Sequence, residues 1–168
     1  YISVTGVQTC ALPIYFSWKD VETACLYIKQ CLDYEEFKPD YIVGLTRGGL
    51  IPAVMLSHMT GIKVVALDAS FRDSDDGPES NAWLPEDITY GNKKALIIDD
   101  INDSGATFNW IKEDWNSSVL GTCKWSGVKF AALVHNEASK AHSDYAFLTI
   151  NKFEQDVWIV YPWEQNEN

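Results

Sequence analysis

The chain has 168 residues and a formal net charge of −11, and 46% of its residues are hydrophobic. This length suits one domain, and the apolar content excludes a disordered or fibrous chain. The negative charge argues against general RNA or DNA binding, and no apolar run reaches the roughly 18 residues that suggest a membrane span. A small anionic ligand needs only a few nearby cations, so the charge remains compatible with a phosphate site.

The first residues do not resemble the start of a natural domain. The stretch 4–14, with the sequence VTGVQTCALPI, reads like the translation of a sequencing-library adapter. We therefore treat residues 1–14 as a non-native segment and residues 15–168 as a single domain. The alternative is a genuine N-terminal strand, because the stretch contains β-prone residues.

The four cysteines do not have the spacing of a zinc site. No pair forms a CxxC motif, and no His lies near them at ligand spacing. We expect free thiols in a reducing compartment, which predicts a cytoplasmic protein.

The apolar pattern predicts helices and strands in alternation. Apolar residues recur at three- and four-residue steps from Trp18 to Leu32, which predicts a helix with Ser17 as its N-cap. A second helix is predicted from Leu50 to Thr60, ended by Gly61, and a third from Ala106 to Trp115. The predicted strands are Tyr41–Leu45, Lys63–Leu67, Lys94–Asp99, Val128–Val134, Tyr145–Ile150 and Val157–Val160.

This alternation indicates an α/β fold with a mostly parallel central sheet. Its strands are apolar throughout, which is typical of a sheet covered by helices on both faces. Ligands of such sheets bind beyond the carboxyl ends of the strands. The polar stretch from Phe71 to Tyr90 is too long for an idle connection, and loops of this kind are usually lids or disordered segments.

The segment ALIIDDINDSGAT joins an acid pair to a candidate phosphate loop. A buried strand delivers Asp99 and Asp100 to its end, where carboxylates can accept hydrogen bonds from paired sugar hydroxyls. The loop N–H groups and the following helix N-terminus form an anion site. Ser104 and Thr107 add hydroxyl donors, and Gly105 lets the backbone approach a phosphate closely. This arrangement predicts a site for a ribose 5-phosphate.

The same segment resembles the motif with which type I phosphoribosyltransferases bind phosphoribosyl pyrophosphate (PRPP). The resemblance implies that Asp99 and Asp100 bind the ribose hydroxyls, directly or through Mg²⁺, with Asp100 as the candidate metal ligand. It implies that Asp103 is one of the residues that bind PRPP, and that it lies near the base and handles its proton. It also implies a 5-phosphate site formed by Ser104, Gly105, Ala106 and Thr107. Asn102 departs from the pattern, because the family usually has an apolar residue there.

A second part of the resemblance lies fifty residues earlier, in the turn TRGG. Taken alone, this turn is an ordinary helix entry. In this position it resembles the pyrophosphate loop of the family, in which Thr46, Arg47 and Gly48 would hold the leaving group and the peptide is often cis. Arg72, at the start of the polar stretch, is a candidate second pyrophosphate contact, with a solvated surface cation as the alternative.

The C-terminal segment DVWIVYPWE resembles that of bacterial xanthine–guanine phosphoribosyltransferases. The resemblance implies a small C-terminal hood in which Trp158 stacks on the base and Ile159 offers backbone groups to its edge. The family usually has a Lys after the fifth strand that contacts the 6-oxo group of a purine. Here His135 and Asn136 occupy that place, and either could donate a hydrogen bond to an oxo group, with His135 as the candidate base contact. The alternatives are a core Trp and a strand-end His without a ligand.

These motifs together imply Mg²⁺-dependent transfer of a phosphoribosyl group from PRPP to a nucleobase, a 6-oxopurine by the closest resemblance. A pyrimidine or adenine base is the alternative within the enzyme class. A regulator that senses PRPP and binds RNA is the alternative outside it, although the charge disfavours it. The family commonly forms dimers or tetramers, which implies a homo-oligomer.

Overall fold

A computed structural model describes residues 12–69 and 81–164 of the chain. The elements are β1 (Leu12–Tyr15), α1 (Trp18–Tyr34), β2 (Tyr41–Leu45), α2 (Leu50–Thr60), β3 (Lys63–Leu67), α3 (Trp83–Thr89), β4 (Ala95–Asn102), α4 (Ala106–Ser118), a short 3₁₀ helix (Trp125–Gly127), β5 (Val128–Asn136), β6 (Tyr145–Ile150) and β7 (Val157–Val160). No helix within these ranges is long and apolar enough to cross a bilayer.

Five strands form the central sheet in the order β3-β2-β4-β5-β6, and every neighbouring pair is parallel. This confirms the predicted α/β fold. The remaining two strands, β1 and β7, pair in parallel as a separate two-stranded sheet. This small sheet carries the C-terminal motif, and we call it the hood.

Helices cover both faces of the central sheet, because successive strand residues point to opposite sides. Ile42 packs in the apolar cluster that contains the buried faces of α1 and α2. The next residue, Val43, packs in a second cluster with α3 and α4. The strands are therefore buried on both faces, which explains why they are apolar without alternation.

The N-terminus of α1 has the predicted cap. The backbone N–H of Asp20 donates to the Ser17 hydroxyl (3.2 Å), and the backbone N–H of Ser17 donates to the Asp20 carboxylate (2.7 Å). This reciprocal pair satisfies two donors that a helix start leaves without partners. At the other predicted boundary, Gly61 ends α2 with a φ of 72°.

The prediction of an uninterrupted polar loop from residue 71 to residue 90 is wrong for its second half. Residues 83–89 form α3, and Leu84, Pro85 and Ile88 are buried against the core. The low apolar content of the whole stretch concealed a short helix anchored by only a few apolar residues. Residues 70–80, the other half of the candidate lid, lie outside the described residues.

The start of the described chain contributes to the hood. Leu12–Tyr15 pairs with Val157–Val160 along its full length, and the N–H of Phe16 donates to the carbonyl of Val160 (2.9 Å). Strand pairing uses backbone groups and tolerates many side chains. The adapter interpretation of residues 4–14 therefore stays a prediction, which the coding DNA tests.

Replacing Gly49 is expected to disrupt the junction between β2, α2 and β4. A Cβ at this position would lie 2.4 Å from the carbonyl oxygen of Ile98 and 2.8 Å from that of Leu45. Backbone atoms cannot move aside cheaply, so Gly49→Ala is expected to lower the free energy of unfolding by about 1–3 kcal/mol. Urea denaturation measures this change. Gly61→Asn is the control, because no heavy atom lies within 4 Å of the added Cβ and Asn tolerates a positive φ. Equal stability losses for the two variants would contradict the argument.

Candidate functional site

A cavity of about 640 Å³ opens beyond the carboxyl ends of β2 and β4, between the central sheet and the hood. It brings together side chains and loops that are far apart in the sequence. The predicted site residues that line it are Thr46, Arg47, Gly48, Asp99, Asp100, Asp103, Ser104, Gly105, Ala106, Thr107, Trp158 and Ile159.

The acid pair lies in the floor of this cavity. The carboxylate of Asp99 accepts a hydrogen bond from the N–H of Asp100 (2.9 Å), and that of Asp100 accepts one from the N–H of Ile101 (2.8 Å). Burial raises the pKa of Asp99, and repulsion from Asp100 raises it further. Burial also raises the pKa of Asp100, to which Glu164 adds repulsion. Two carboxyl groups held this close favour a ligand that supplies hydroxyl donors or a cation.

The candidate phosphate loop turns sharply at Gly105, whose φ is 84°. A Cβ there would lie 2.5 Å from the backbone nitrogen of Ala141 and 2.8 Å from the Ser139 hydroxyl, so only glycine fits both the turn and the packing. Helix α4 begins at Ala106, and the residues of its first turn line the cavity together with the loop. The loop thus combines backbone donors, hydroxyl groups and a helix N-terminus, which together suit a phosphate.

The TRGG turn enters the cavity from the neighbouring strand. The Thr46–Arg47 peptide bond is cis, and the Thr46 hydroxyl donates to Asp68 (2.7 Å). Gly48 lies against the acid pair, since a Cβ on it would lie 2.1 Å from Oδ2 of Asp100. The turn therefore places the Gly48 backbone next to the Asp100 carboxylate, and Arg47 lines the same cavity.

The hood closes the cavity with aromatic groups. Trp158 is 56% exposed and so presents an open ring, whereas Ile159 is buried. Tyr161 stacks on Trp163 with ring centroids 4.6 Å apart, and its hydroxyl donates to the backbone carbonyl of Asp100 (2.6 Å). This hydrogen bond ties the hood to the acid pair, and an exposed indole suits a flat heterocycle.

His135, one of the predicted site residues, does not line the cavity. Nδ1 of His135 lies 3.2 Å from the Asn102 amide nitrogen and 3.2 Å from the Ser143 hydroxyl, and His135 is not among the described residues that line the cavity. Burial lowers its pKa, which favours a neutral imidazole, and the tautomer decides whether Nδ1 accepts or donates in these contacts. This placement does not support His135 as a base contact. Arg72 lies outside the described residues, so its role stays a prediction.

Asn102, the departure from the motif, is 4% exposed and serves a local purpose. Its amide nitrogen donates to the carbonyl of Ala141 (2.8 Å), and its oxygen accepts from the Ser139 hydroxyl (2.8 Å). These bonds hold the segment after β5 against the candidate phosphate loop. The polar residue is therefore satisfied by this chain's own β5–β6 connection.

Sequence reasoning missed Lys152, which lines the cavity. Its ammonium group lies 2.7 Å from Oδ2 of Asp103 and 5.8 Å from the centre of the Trp158 ring. The available signal was its position directly after β6, because the carboxyl ends of parallel strands are where ligands bind. Tyr161, Trp163 and Glu164 also line the cavity and were not predicted as site residues.

The fold and the cavity define an α/β protein whose site, at the carboxyl ends of parallel strands, combines an acid pair with a loop suited to a phosphate. A sequence model of the phosphoribosyl transferase domain matches residues 20–166. The chain therefore belongs to the phosphoribosyltransferase family and is an enzyme of that class. This confirms the resemblance that the PRPP motif, the TRGG turn and the C-terminal segment indicated.

Individual relatives are distant in sequence and similar in length. The chain is 27% identical over 126 residues to xanthine-guanine phosphoribosyltransferase of Gluconobacter oxydans, covering 73% of this chain and 67% of that protein. It is 25% identical over 187 residues to hypoxanthine-guanine phosphoribosyltransferase of Schizosaccharomyces pombe, covering 92% and 90%. The crystal structure of a purine phosphoribosyltransferase from Pyrococcus horikoshii matches with a TM-score of 0.68 at 31% identity, covering 90% and 94%.

Proposed function

We propose that this protein transfers the 5-phosphoribosyl group of PRPP to a 6-oxopurine, namely xanthine, guanine or hypoxanthine, and releases pyrophosphate. Such a reaction salvages free bases into nucleotides. The observation that carries the proposal is the single cavity that combines an acid pair, a phosphate loop, the Arg47 turn and the open Trp158 ring. The activities named for the relatives agree with it.

Each part of the two substrates is expected in a different region of the cavity. The 5-phosphate is expected on the loop from Ser104 to Thr107, and the ribose hydroxyls on Asp99 and Asp100. The pyrophosphate is expected against the Arg47 turn, which lies beside the acid pair. The base is expected at the hood, where it can stack on the ring of Trp158.

The chain's own residues accelerate transfer mainly by alignment and charge stabilisation. Arg47 balances the negative charge that gathers on the departing pyrophosphate. Asp103 accepts the proton that the base loses as its ring nitrogen bonds to C1 of the ribose. Trp158 keeps the base in the plane from which that nitrogen reaches the sugar.

Mg²⁺ fits the donor set of the cavity. No group of three or more His, Cys, Asp or Glu side chains in residues 12–69 and 81–164 is arranged to hold a metal by itself. Mg²⁺ commonly binds through one or two carboxylates together with substrate phosphates and water, and Asp100 with Asp99 supplies the carboxylates. When bound, the ion supplies positive charge to the pyrophosphate and the ribose hydroxyls.

The test is pyrophosphate release from PRPP and Mg²⁺ with xanthine, guanine, hypoxanthine, adenine and orotate in turn. We expect turnover with at least one 6-oxopurine, and Arg47→Ala is expected to lower kcat/KM for PRPP by about 10²- to 10³-fold. Lys29→Ala on the outer face of α1 is the control and should leave the rate unchanged. Turnover with none of the 6-oxopurines, or an undiminished rate in Arg47→Ala, would overturn the proposal.

A further inference from the structure

The β6–β7 turn places a cation where the base is expected. The Lys152 side chain is 23% exposed, and it extends into the cavity between Asp103 and the ring of Trp158. Its backbone follows β6, the last strand of the central sheet. Lys152 and Asp103 therefore meet inside the cavity from two separate segments, the β6–β7 turn and the loop after β4.

The buried side-chain amide of Asn136 fixes the positions of Asp103 and Lys152 relative to each other. Asn136, at the end of β5, is 5% exposed. Its nitrogen donates to Oδ1 (3.1 Å) and to the backbone carbonyl (3.3 Å) of Asp103, and its oxygen accepts from the N–H of Lys152 (3.2 Å). An amide offers a donor and an acceptor at once, which no carboxylate or ammonium group does. Asn136 thus joins the phosphate loop to the turn that carries Lys152.

The pair presents one donor and one acceptor to the edge of a ring stacked on Trp158. An ammonium group only donates, and an ionised carboxylate only accepts. Asp103 adjoins the phosphate loop, so it lies on the ribose side and faces the ring nitrogen nearer the sugar. The Lys152 ammonium group lies 2.7 Å from Asp103 and 5.8 Å from the centre of the Trp158 ring, so a base stacked on Trp158 would meet it next to Asp103, at the neighbouring exocyclic group. An oxo group at that position can accept a hydrogen bond from Lys152. An amino group cannot, because it is a donor like the ammonium group.

We propose that Lys152, held in place by Asn136 and Asp103, selects a base with an oxo group beside the ring nitrogen that gives up its proton. This inference rests on the proposed function. It assigns the selection to the β6–β7 turn and not to His135 at the end of β5. Asn136 acts as a positioning residue, because it contacts Lys152 and Asp103 and does not line the cavity.

The first experiment compares Lys152→Met and Lys152→Arg with the unaltered chain, using hypoxanthine, guanine and adenine. Lys152→Met is expected to lower the preference in kcat/KM for the oxo bases over adenine by about 10- to 100-fold, because a charge-assisted hydrogen bond is lost. Lys152→Arg keeps the charge and is expected to keep most of the preference. Lys19→Met is the matched control, since Lys19 also pairs with a carboxylate at 2.8 Å but on the outer face of α1.

The second experiment tests the positioning role of Asn136 by a double-mutant cycle. Asn136→Asp removes the donor to Asp103 and is expected to reduce the same base preference. If Asn136 acts through Lys152, its effect in the Lys152→Met background should be at most about twofold. Additive losses would show that Asn136 has a separate structural role and would overturn that part of the inference.

The outcomes separate this inference from the proposed function. If the unaltered chain makes no nucleotide from any base although it binds PRPP and Mg²⁺ by calorimetry, the proposed function fails. If the unaltered chain prefers an oxo base and Lys152→Met retains that preference, the inference about Lys152 fails and the proposed function stands.

Discussion

Asp103→Asn is expected to lower the turnover of PRPP with a 6-oxopurine by about 10²- to 10⁴-fold, the usual range for the loss of a general base. The substitution keeps the shape of the side chain, and its oxygen can still accept from Asn136. It removes the charge that pairs with Lys152 and the capacity to take a proton. Steady-state kinetics with saturating PRPP measures the effect.

Two controls identify the cause of such a loss. Calorimetry of PRPP with Mg²⁺ separates the two roles given to Asp103, because the loss of proton transfer alone leaves the affinity for PRPP unchanged. Asp33→Asn removes a carboxylate that pairs with Lys29 at 2.6 Å on the surface of α1 and should leave turnover unaltered. A rate for Asp103→Asn within about twofold of the unaltered chain would remove the proton-transfer role.

Asp99→Asn is expected to stabilise the protein while it reduces PRPP use by about 10- to 100-fold. The raised pKa of Asp99 means that its ionisation opposes folding once the pH exceeds the unfolded value. The amide has the same shape and can keep the hydrogen bond from Asp100, without the charge. A rise in Tm of a few degrees is expected, since each kcal/mol shifts Tm by roughly 2–4 °C in a domain of this size.

The stability gained by Asp99→Asn is expected to depend on pH. A carboxyl with a raised pKa stabilises the folded state least at high pH, so the unaltered chain loses stability as the pH rises through the folded pKa of Asp99. The advantage of Asp99→Asn should therefore be small near pH 4 and full once Asp99 is ionised. Urea denaturation from pH 4 to pH 8 measures it.

Asp40→Asn is the contrasting control for that series. A hydrogen bond from the backbone N–H of Lys94 lowers the pKa of Asp40, so its charge favours folding. Its replacement should cost stability at neutral pH and cost little when the pH falls below the folded pKa of Asp40. The same sign for Asp40→Asn and Asp99→Asn at neutral pH would contradict the assignment of both carboxyl groups.

The parts of the site that the sequence predicted are those whose residues lie close together in one short segment. The acid pair, the phosphate loop and the start of α4 follow each other within a few residues, so local geometry brings them together. The TRGG turn and β4 are neighbours because β2 and β4 pair in the sheet, which the alternation of elements already favours. Trp158 was found through the resemblance of the C-terminal segment.

The groups that the sequence did not place have positions that depend on distant parts of the chain. His135 lies near the end of β5, and its ring contacts Asn102 and Ser143, which come from β4 and from the β5–β6 connection. Lys152 lines the cavity because it follows β6, whose carboxyl end lies on the same side of the parallel sheet as that of β4. The helix α3 was missed because only its packed tertiary position reveals that Leu84 and Ile88 are buried.

The sequence by itself determined the alternating architecture, the acid pair, the phosphate loop and the class of enzyme, because each is encoded within a short run of residues. Only the tertiary structure decided which side chains near β5, β6 and the hood line the cavity. The physical reason is that strand order and loop packing are set by burial across the whole sheet, and the same local sequence can point into a cavity or away from it.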